Sequence, residues 1–304
     1  MKKLLISNSL KIFSTLLLLN GFDCLLASDK SQNENVEQFI KVSHINSKVI
    51  LVTFGYDAVT AINTEKGIIV IDAGISNKLT EIFRKKIEKE FNTKRFAYLI
   101  NTHSHSDHTG GNQVFQDAVI IGQANCINEM KDRQKNIEET KSNLLKIIKE
   151  YEAELKKLKR NTAGWNDNFT QMIRYKYAYE DLLSGRKVTY PKKTFTDTLK
   201  ISVDDITLNI IWFGKAHSAS DIIIHIPELK LLFTGDLFFP GGRPSLNDYG
   251  KKDVQKWQIA KEWIQNRLQK IETVIGGHGQ LMKQKDIVSF NKFIDPKWME
   301  LKDK

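Results

Sequence analysis

Six consecutive residues, His103 to His108, constrain this chain more than any other part of its sequence. They read His-Ser-His-Ser-Asp-His and directly follow the apolar run Phe96 to Asn101. Imidazole and carboxylate groups are the usual nitrogen and oxygen ligands of zinc and similar metals. Alternate side chains of an extended loop point in different directions, so one cation cannot easily use all four groups. The motif therefore predicts two metal ions, with His103 and His105 serving one centre and Asp107 and His108 a neighbouring one.

Three further potential ligands stand in turns that follow short β-rich runs. They are His217, Asp236 and His278, and each lies close to at least one glycine. Glycine permits the close backbone approach that a metal-ligand loop often needs. Each of these turns alone is a weak signal. Together with the six-residue motif, and in this order along the chain, they indicate one composite metal site.

The rest of the chain alternates predicted strands and helices. Val49 to Phe54 and Ile68 to Ile71 have the composition of strands, and Asp72-Ala73-Gly74 ends the second of them. Lys78 to Phe91 carries its apolar residues at helical spacing. Further strand signals run from Lys200 to Phe233. A mixed α/β fold is therefore expected.

Residues 128–184, called here the hairpin segment, have a different character. An apolar stripe recurs at heptad spacing and is strongest from Leu144 to Leu158. Asn161 to Gly164 predicts a turn, and Asn166 to Leu183 predicts a second helix. Since such a stripe must be buried, we expect a helical hairpin that packs on itself and overhangs the metal cleft, as a lid or as a homodimer surface. A peripheral position away from the cleft is the alternative.

The first 27 residues have the order of a secretory signal peptide. Lys2 and Lys3 precede an apolar stretch centred on Leu16 to Leu19, and the small residue Ala27 marks the expected cleavage point. A lipid anchor on Cys24 and an uncleaved membrane anchor stay open as alternatives. Beyond this stretch no apolar run approaches the roughly 18 residues of a membrane helix. The expectation is a secreted or periplasmic protein with no stable membrane insertion after cleavage.

The composition excludes several other classes of protein. With 41% hydrophobic and 27% charged residues the chain is neither collagen-like nor wholly disordered. Two cysteines cannot form a disulfide scaffold or a four-cysteine zinc site. The net charge of +10 is compatible with nucleic acid. However, the basic residues of the hairpin segment are interleaved with glutamates, which is typical of a solvated face, so no nucleic-acid partner is expected.

The motif, the three later ligands and the strand ending in Asp72-Ala73-Gly74 resemble the metallo-β-lactamase superfamily of hydrolases. The resemblance runs from about residue 40 to residue 295 and is interrupted by the hairpin segment. It implies an α/β fold of the αββα sandwich type, with the hairpin as an insertion. It also implies a complete set of seven ligands: His103, His105 and His217 for the first metal, Asp107, His108 and His278 for the second, and Asp236 between the two.

In such a site two divalent cations, expected to be Zn²⁺, lie about 3.5 to 4 Å apart and lower the pKa of a shared water toward about 7. The resemblance then implies catalysis by a metal-bridging hydroxide, with Asp107 and Asp236 as the carboxylates of the catalytic centre. Asp72 is expected to orient the ligand loop. On the loop after Asp236, Arg243 and Tyr249 are candidates for binding substrate, and Arg243 could receive a carboxylate in bidentate fashion.

The resemblance indicates a class of substrates but does not identify one substrate. The best-known class B β-lactamases have arginine at the position of His108 and cysteine at that of Asp236, whereas the ligands here resemble the glyoxalase II and lactonase pattern. Export fits a lactamase or an envelope ester hydrolase. The expected activity is hydrolysis of a small cyclic amide, ester or lactone. The alternative from a different class is a non-catalytic scaffold that engages a partner through the basic hairpin segment.

Overall fold

Two β-sheets form the centre of the fold in the computed structural model, which describes residues 36–238 and 251–283. The described residues 36–40 belong to a separate N-terminal unit, and all elements below lie in the unit Lys41–Lys304. The first sheet has strand order β1 to β7. Its strands are β1 (Lys41–His44), β2 (Val49–Phe54), β3 (Asp57–Ile62), β4 (Ile68–Ile71), β5 (Phe96–Ile100), β6 (Val119–Gln123) and β7 (Lys193–Phe195).

The second sheet has the strand order β13-β12-β11-β10-β9-β8. Its strands are β8 (Thr198–Val203), β9 (Ile206–Trp212), β10 (Ile222–Ile226), β11 (Leu231–Gly235), β12 (Thr273–Gly276) and β13 (Leu281–Met282). The helices are α1 (Asn77–Phe91), α2 (Ser106–Thr109), α3 (Ala124–Gln134), α4 (Ile137–Leu155), α5 (Ala163–Leu183) and α6 (Lys251–Gln265).

The main core lies between the two sheets. Ile69 and Ile100 of the first sheet belong to the same buried cluster as Ile224 and Phe233 of the second. Because side chains alternate across a strand, the intervening residues of the second sheet face the other way. They form a second cluster with Ala260 and Ile264 of α6. On the outside of the first sheet α1 lies against β2. This is the α/β sandwich with outer helices that the sequence predicts.

Helix α1 shows how local sequence sets an element. Its buried positions Leu79, Phe83 and Ile87 recur every four residues and form one apolar face. The Ser76 side chain accepts a hydrogen bond from the Leu79 amide and caps the N-terminus. Asn92, in the left-handed conformation at φ 49°, ends the helix. The predicted helix from Lys78 to Phe91 is observed within one residue.

The hairpin segment comprises three helices. The predicted heptad run is broken at residues 135–136, where α3 ends and α4 begins. The second predicted helix, expected from Asn166, begins three residues earlier as α5. The reason is Thr162, whose hydroxyl accepts a hydrogen bond from the Trp165 amide and supplies the N-cap. Tyr151 and Tyr175 lie near-parallel across the α4–α5 seam, with ring centroids 6.0 Å apart.

Helix α5 also docks on α1. Tyr177 is fully buried beneath the Lys78 ammonium, which lies 4.5 Å from the ring centroid. The Asp181 carboxylate accepts a hydrogen bond of 2.7 Å from the Asn77 amide at the start of α1. A carboxylate at a helix N-terminus is stabilised by the free amides and the helix dipole. The hairpin segment is therefore anchored to the body of the fold.

Within residues 36–238 and 251–283, no helix combines the length and the apolar character that crossing a bilayer requires. The predicted signal peptide, residues 1–27, lies outside the described residues, as do Arg243 and Tyr249.

Candidate metal centre

Strand direction brings the predicted ligands to one place. β9 and β11 both pair antiparallel with β10, and β12 pairs parallel with β11. The loops after β9, β11 and β12 therefore emerge at the same edge of the second sheet. These loops carry His217, Asp236 and His278. The loop after β5 and the short helix α2 carry the six-residue motif from the first sheet to the same edge.

Asp236 lies at the centre of the cluster. Its Oδ2 atom is within 4.0 Å of a ring nitrogen of four histidines. The distances from Oδ2 to Nε2 are 4.0 Å for His103, 3.5 Å for His108, 3.5 Å for His217 and 3.2 Å for His278. One carboxylate thus adjoins ligands from both predicted metal sets, which is the position that a bridging group requires.

The remaining predicted ligands flank this carboxylate on two sides. On one side His105 Nδ1 lies 3.0 Å from His217 Nε2. On the other side Asp107 Oδ2 lies 3.9 Å from His108 Nε2 and 3.8 Å from His278 Nε2. Three groups have ligand atoms close enough together to share a cation: His103, His105 and His217; His103, His108 and Asp236; and Asp107, His108 and His278. All seven predicted ligand residues fall within these groups.

Asp72 orients two of the imidazoles. Its Oδ2 atom accepts a hydrogen bond from the Thr102 hydroxyl at 2.8 Å and lies 3.0 Å from His108 Nδ1. Because the Thr102 hydroxyl donates to Asp72, its oxygen accepts from His103 Nδ1 at 3.1 Å. Both rings therefore carry their proton on Nδ1, which leaves the Nε2 lone pairs for the centre. Asp72 has a positive φ of 61°, a strained backbone that is common at functional sites.

His278 is oriented in the same way by a backbone group. Its Nδ1 atom lies 2.7 Å from the Tyr56 carbonyl oxygen, which can only accept. The Nδ1 atom therefore carries the proton and Nε2 faces Asp236. Tyr56 belongs to the turn between β2 and β3, and its ring is largely exposed. Two structural neighbours that the sequence analysis did not assign to the site, Thr102 and Tyr56, thus set ring orientation.

The donor set fits divalent cations. His103 Nε2, His108 Nε2 and Asp236 Oδ1 are buried and have no hydrogen-bond partner. Buried polar atoms in folded proteins nearly always have a partner, and a cation would accept the lone pairs of all three. Nitrogen and oxygen donors in this proportion suit zinc and related metals.

The electrostatics hold His103, His105 and Asp236 in the protonation state that binds metal. At His108 and His278 burial opposes protonation, but the neighbouring carboxylates outweigh it and raise the pKa of the imidazole, so metal binding there releases a proton. Burial, with the neighbouring His108, holds the pKa of His103 well below its usual value. Burial also lowers the pKa of His105 to about 4, helped by His217 and Arg133. For Asp236, burial favours protonation, but the surrounding imidazoles outweigh it and hold the pKa of the carboxyl well below its usual range. Neutral imidazoles and an ionised carboxylate are the forms that coordinate a metal.

The hairpin segment contributes a buried cation beside the centre. Arg174 of α5 donates from Nε to Asp57 Oδ1 at 2.8 Å, and its Nη2 lies 2.7 Å from the same oxygen. Nη2 is also 3.9 Å from Asp107 Oδ2. This pair was not predicted from the sequence. The signal available was a lone arginine on the face of α5 that also carries Ile173 and Tyr177, which is an improbable position unless the charge is paired.

Gly277 is needed because the backbone passes very close to the cluster. A Cβ at this residue would lie 2.2 Å from Asp236 Oδ1 and 2.8 Å from His108 Cε1. Gly277→Ala is therefore expected to displace two ligands and weaken metal affinity by about 10- to 100-fold, the scale of other perturbations around metal ligands. Competition with a chromophoric chelator measures the affinity.

Gly164→Ala is the matched control, because nothing lies within 4 Å of the added Cβ. Wild-type metal affinity in Gly277→Ala would contradict the assignment of this loop to the site.

The family of the chain follows from its match to a protein-family model. The model of the metallo-beta-lactamase superfamily matches residues 52–278. The chain belongs to this superfamily. It is accordingly a metal-dependent hydrolase of the superfamily, as the sequence predicts.

Sequence relatives within the superfamily are distant but extend over most of the chain. A metallo-beta-lactamase type 2 from Bacillus cereus is 22% identical over 250 residues, covering 80% of this chain and 77% of the relative. The corresponding protein of Bacillus sp. (strain 170) is 25% identical with the same coverage.

Solved structures support the fold. The metallo-beta-lactamase FIM-1 from Pseudomonas aeruginosa, in its mono-zinc form, has a TM-score of 0.57 at 14% identity and covers 86% of this chain and 96% of its own. The sec-alkylsulfatase Pisa1 from Pseudomonas sp. has a TM-score of 0.56 at 15% identity and covers 85% of this chain but 41% of its own. At these identities the likeness concerns the fold alone.

Proposed function

We propose that this superfamily member is an exported hydrolase with two zinc ions that cleaves a small cyclic amide, ester or lactone. His103, His105 and His217 hold one ion, and Asp107, His108 and His278 hold the other. Asp236 lies between them. The observation that carries the proposal is the position of Asp236 Oδ2, within 4.0 Å of imidazoles from both sets.

When bound, two such cations supply a low-pKa water at neutral pH and polarise the bond under attack. The protein residues prepare the site for this chemistry. Asp72 and Thr102 hold protons on the outer nitrogens of His103 and His108, so that both rings present a lone pair inward. Asp236 and Asp107 bring negative charge that reduces the repulsion between two close cations.

Zinc is proposed because one candidate group consists of three imidazoles and the other two combine imidazole with carboxylate, which are common zinc ligands. Imidazole also suits iron, copper and nickel, so the metal is to be identified by elemental analysis of the purified protein. The same measurement gives the number of ions per chain.

The substrate class is proposed from the relatives and the ligand set together. The sequence relatives are metallo-beta-lactamases, which points to a cyclic amide. Having histidine at position 108 and aspartate at position 236 resembles the lactonase pattern, which points to a cyclic ester. Arg243 and Tyr249, which follow Asp236 in the sequence, remain the proposed substrate-binding residues.

The scaffold alternative has less support. Three buried ligand atoms without a hydrogen-bond partner are costly to fold and would be superfluous in a scaffold. Two arginines of the hairpin segment donate hydrogen bonds to the rest of the fold, Arg133 to the Ser104 carbonyl and Arg174 to Asp57. A homodimer through this segment is still a proposal, and the mass in solution tests it.

Asp236→Asn tests the proposed centre. The variant keeps the shape of the bridge but removes its negative charge, so we expect loss of one ion and a large fall in turnover of lactams, lactones or thioesters. Elemental analysis and a chromogenic substrate panel, with an alkyl sulfate included, are the measurements. If this variant binds two ions tightly and hydrolyses substrate at the wild-type rate, Asp236 is not the bridging residue. If the metal-loaded wild type hydrolyses none of the substrates, the non-catalytic scaffold is favoured.

Export is proposed from the N-terminal sequence. Residues 1–27 have the order of charged, apolar and small residues that signal peptidases recognise. N-terminal sequencing of protein recovered from the periplasm or the medium tests this. Recovery of the intact N-terminus from the cytoplasm would contradict it.

A further inference from the structure

A cavity lies between the hairpin segment and the outer side of the metal-ligand loop. Its volume is about 110 Å³. Residues of α3, α4 and α5 form one wall, and Ser104, Ser106 and Thr109 form the other. None of the seven proposed metal ligands lines it. The cavity is therefore a separate compartment that adjoins the centre through the backbone of the ligand loop.

The larger part of the cavity wall is apolar. Met130, Leu144, Ala178 and Leu182 are among the residues that line it, and Met130 and Ala178 are buried. A concave, mostly apolar surface with a few polar groups is the usual form of a small-molecule site. The hydrophobic effect would favour an occupant with an apolar body.

The charged groups of the cavity are cationic. Arg133 and Arg186 line it, and no aspartate or glutamate does. Arg133 donates from Nη2 to the Ser104 carbonyl oxygen, and Arg186 donates from Nη1 to the Gly110 carbonyl at 2.6 Å. Arg186 is paired with Asp181 at 3.0 Å, but its Nε atom is buried and has no hydrogen-bond partner. Arg133 has no carboxylate within ion-pair distance among the described residues.

A second unpaired group lies in the same wall. Ser104 is fully buried, and its hydroxyl oxygen has no hydrogen-bond partner. A buried hydroxyl without a partner carries a desolvation cost that a ligand acceptor would remove. Two guanidinium groups and one hydroxyl, each able to donate a hydrogen bond, therefore share a cavity whose wall is mostly apolar.

We propose that this cavity binds a small carboxylate with an apolar body, held at its charged end by Arg133, Arg186 and Ser104. Guanidinium groups match the geometry of a carboxylate and form charge-assisted hydrogen bonds with it. The apolar body lies along Met130, Leu144 and Leu182. The site does not depend on the substrate of the metal centre. Because Arg133 and Arg186 also hold carbonyls of the ligand loop, occupancy is linked mechanically to that loop.

Calorimetric titration of the metal-loaded full-length protein with octanoate tests the site, with octanamide as the neutral probe of equal size. We expect octanoate to bind at least tenfold more tightly than octanamide. Arg133→Gln removes the charge while keeping a polar side chain, and should weaken octanoate binding at least tenfold. Lys131→Gln removes an equal charge from an exposed residue of the same helix that does not line the cavity, and should leave binding unchanged.

A carboxylate can also bind metal directly, and a cavity-filling variant separates the two sites. Ala178→Leu adds volume inside the cavity and leaves all metal ligands in place. Octanoate binding should be lost in this variant while metal content stays at the wild-type level. Octanoate binding that survives both Ala178→Leu and Arg133→Gln would place the ligand at the metal centre and overturn the proposal. Equal affinity for octanamide, or no binding of octanoate to the wild type, would overturn it as well.

Discussion

His103→Ala is expected to abolish hydrolytic turnover while leaving the fold intact. His103 belongs to two of the three groups that could hold a cation, so its loss removes a donor next to Asp236 and next to the pair of His105 and His217. We expect a fall in turnover of at least about 10²- to 10³-fold, the scale on which removal of a single electrostatic element acts in other enzymes. The fold should survive because the two main apolar clusters do not include this residue.

His44→Ala is the matched control for this experiment. His44 is a histidine at the edge of the first sheet, with a side chain that is 63% exposed, and it pairs only loosely with Glu90 at 3.4 Å. Both variants are compared by circular dichroism, metal content and rate. Wild-type turnover in His103→Ala, measured against a metal-stripped sample, would remove His103 from the catalytic centre.

Arg174→Met is expected to lower the free energy of unfolding by about 3 to 5 kcal/mol, the usual effect of removing one partner of a buried ion pair. Arg174 and Asp57 are 3% and 1% exposed, so solvent cannot replace the lost partner. Because methionine keeps most of the side-chain volume, the loss of stability measures the contribution of the charge and its hydrogen bonds. Urea unfolding at pH 7 provides the measurement, with Lys149→Met on the exposed face of α4 as control.

The double variant Arg174→Met with Asp57→Asn separates charge from packing. It removes both charges, so we expect it to be more stable than Arg174→Met alone. A double variant as unstable as the single one would show that packing of α5, and not the ion pair, is the cause.

The pH dependence of Arg174→Met follows from Asp57. Burial already raises the pKa of Asp57 above its usual value, even though Arg174 opposes the shift. Without Arg174 the pKa of Asp57 in the folded state rises further. At a pH between the pKa values of the unfolded and folded states, the folded protein therefore keeps a proton that the unfolded chain has already released. A carboxyl group with a raised pKa in the folded state contributes stability that is fully present below the pKa of the unfolded state. That contribution is lost as the pH rises through the pKa of the folded state. The deficit of the variant should therefore shrink as the pH falls toward 4.

The ligands of the metal centre could be predicted because their chemistry is local in the chain. Four candidate donors within six residues, placed after an apolar strand, indicate a metal loop without knowledge of the fold. His217, Asp236 and His278 follow strands, and parallel strands bring such loops to one edge of a sheet. The helix from residue 78 to 91 was predictable for the same reason, since its apolar period and its cap lie within the helix itself.

The contacts around the ligands join residues far apart in sequence. Asp72 meets His108 across 36 positions, and Arg174 meets Asp57 across 117. The role of Asp72 was expected from the family resemblance, but no local pattern indicates which atoms it contacts. A single arginine on a helix looks like an ordinary surface residue until the fold buries it. Burial then makes an unpaired charge so costly that its partner becomes a structural requirement. Amino-acid order was thus sufficient to identify which residues can bind metal, whereas the docking of α5 on α1 decided which charges are buried beside them.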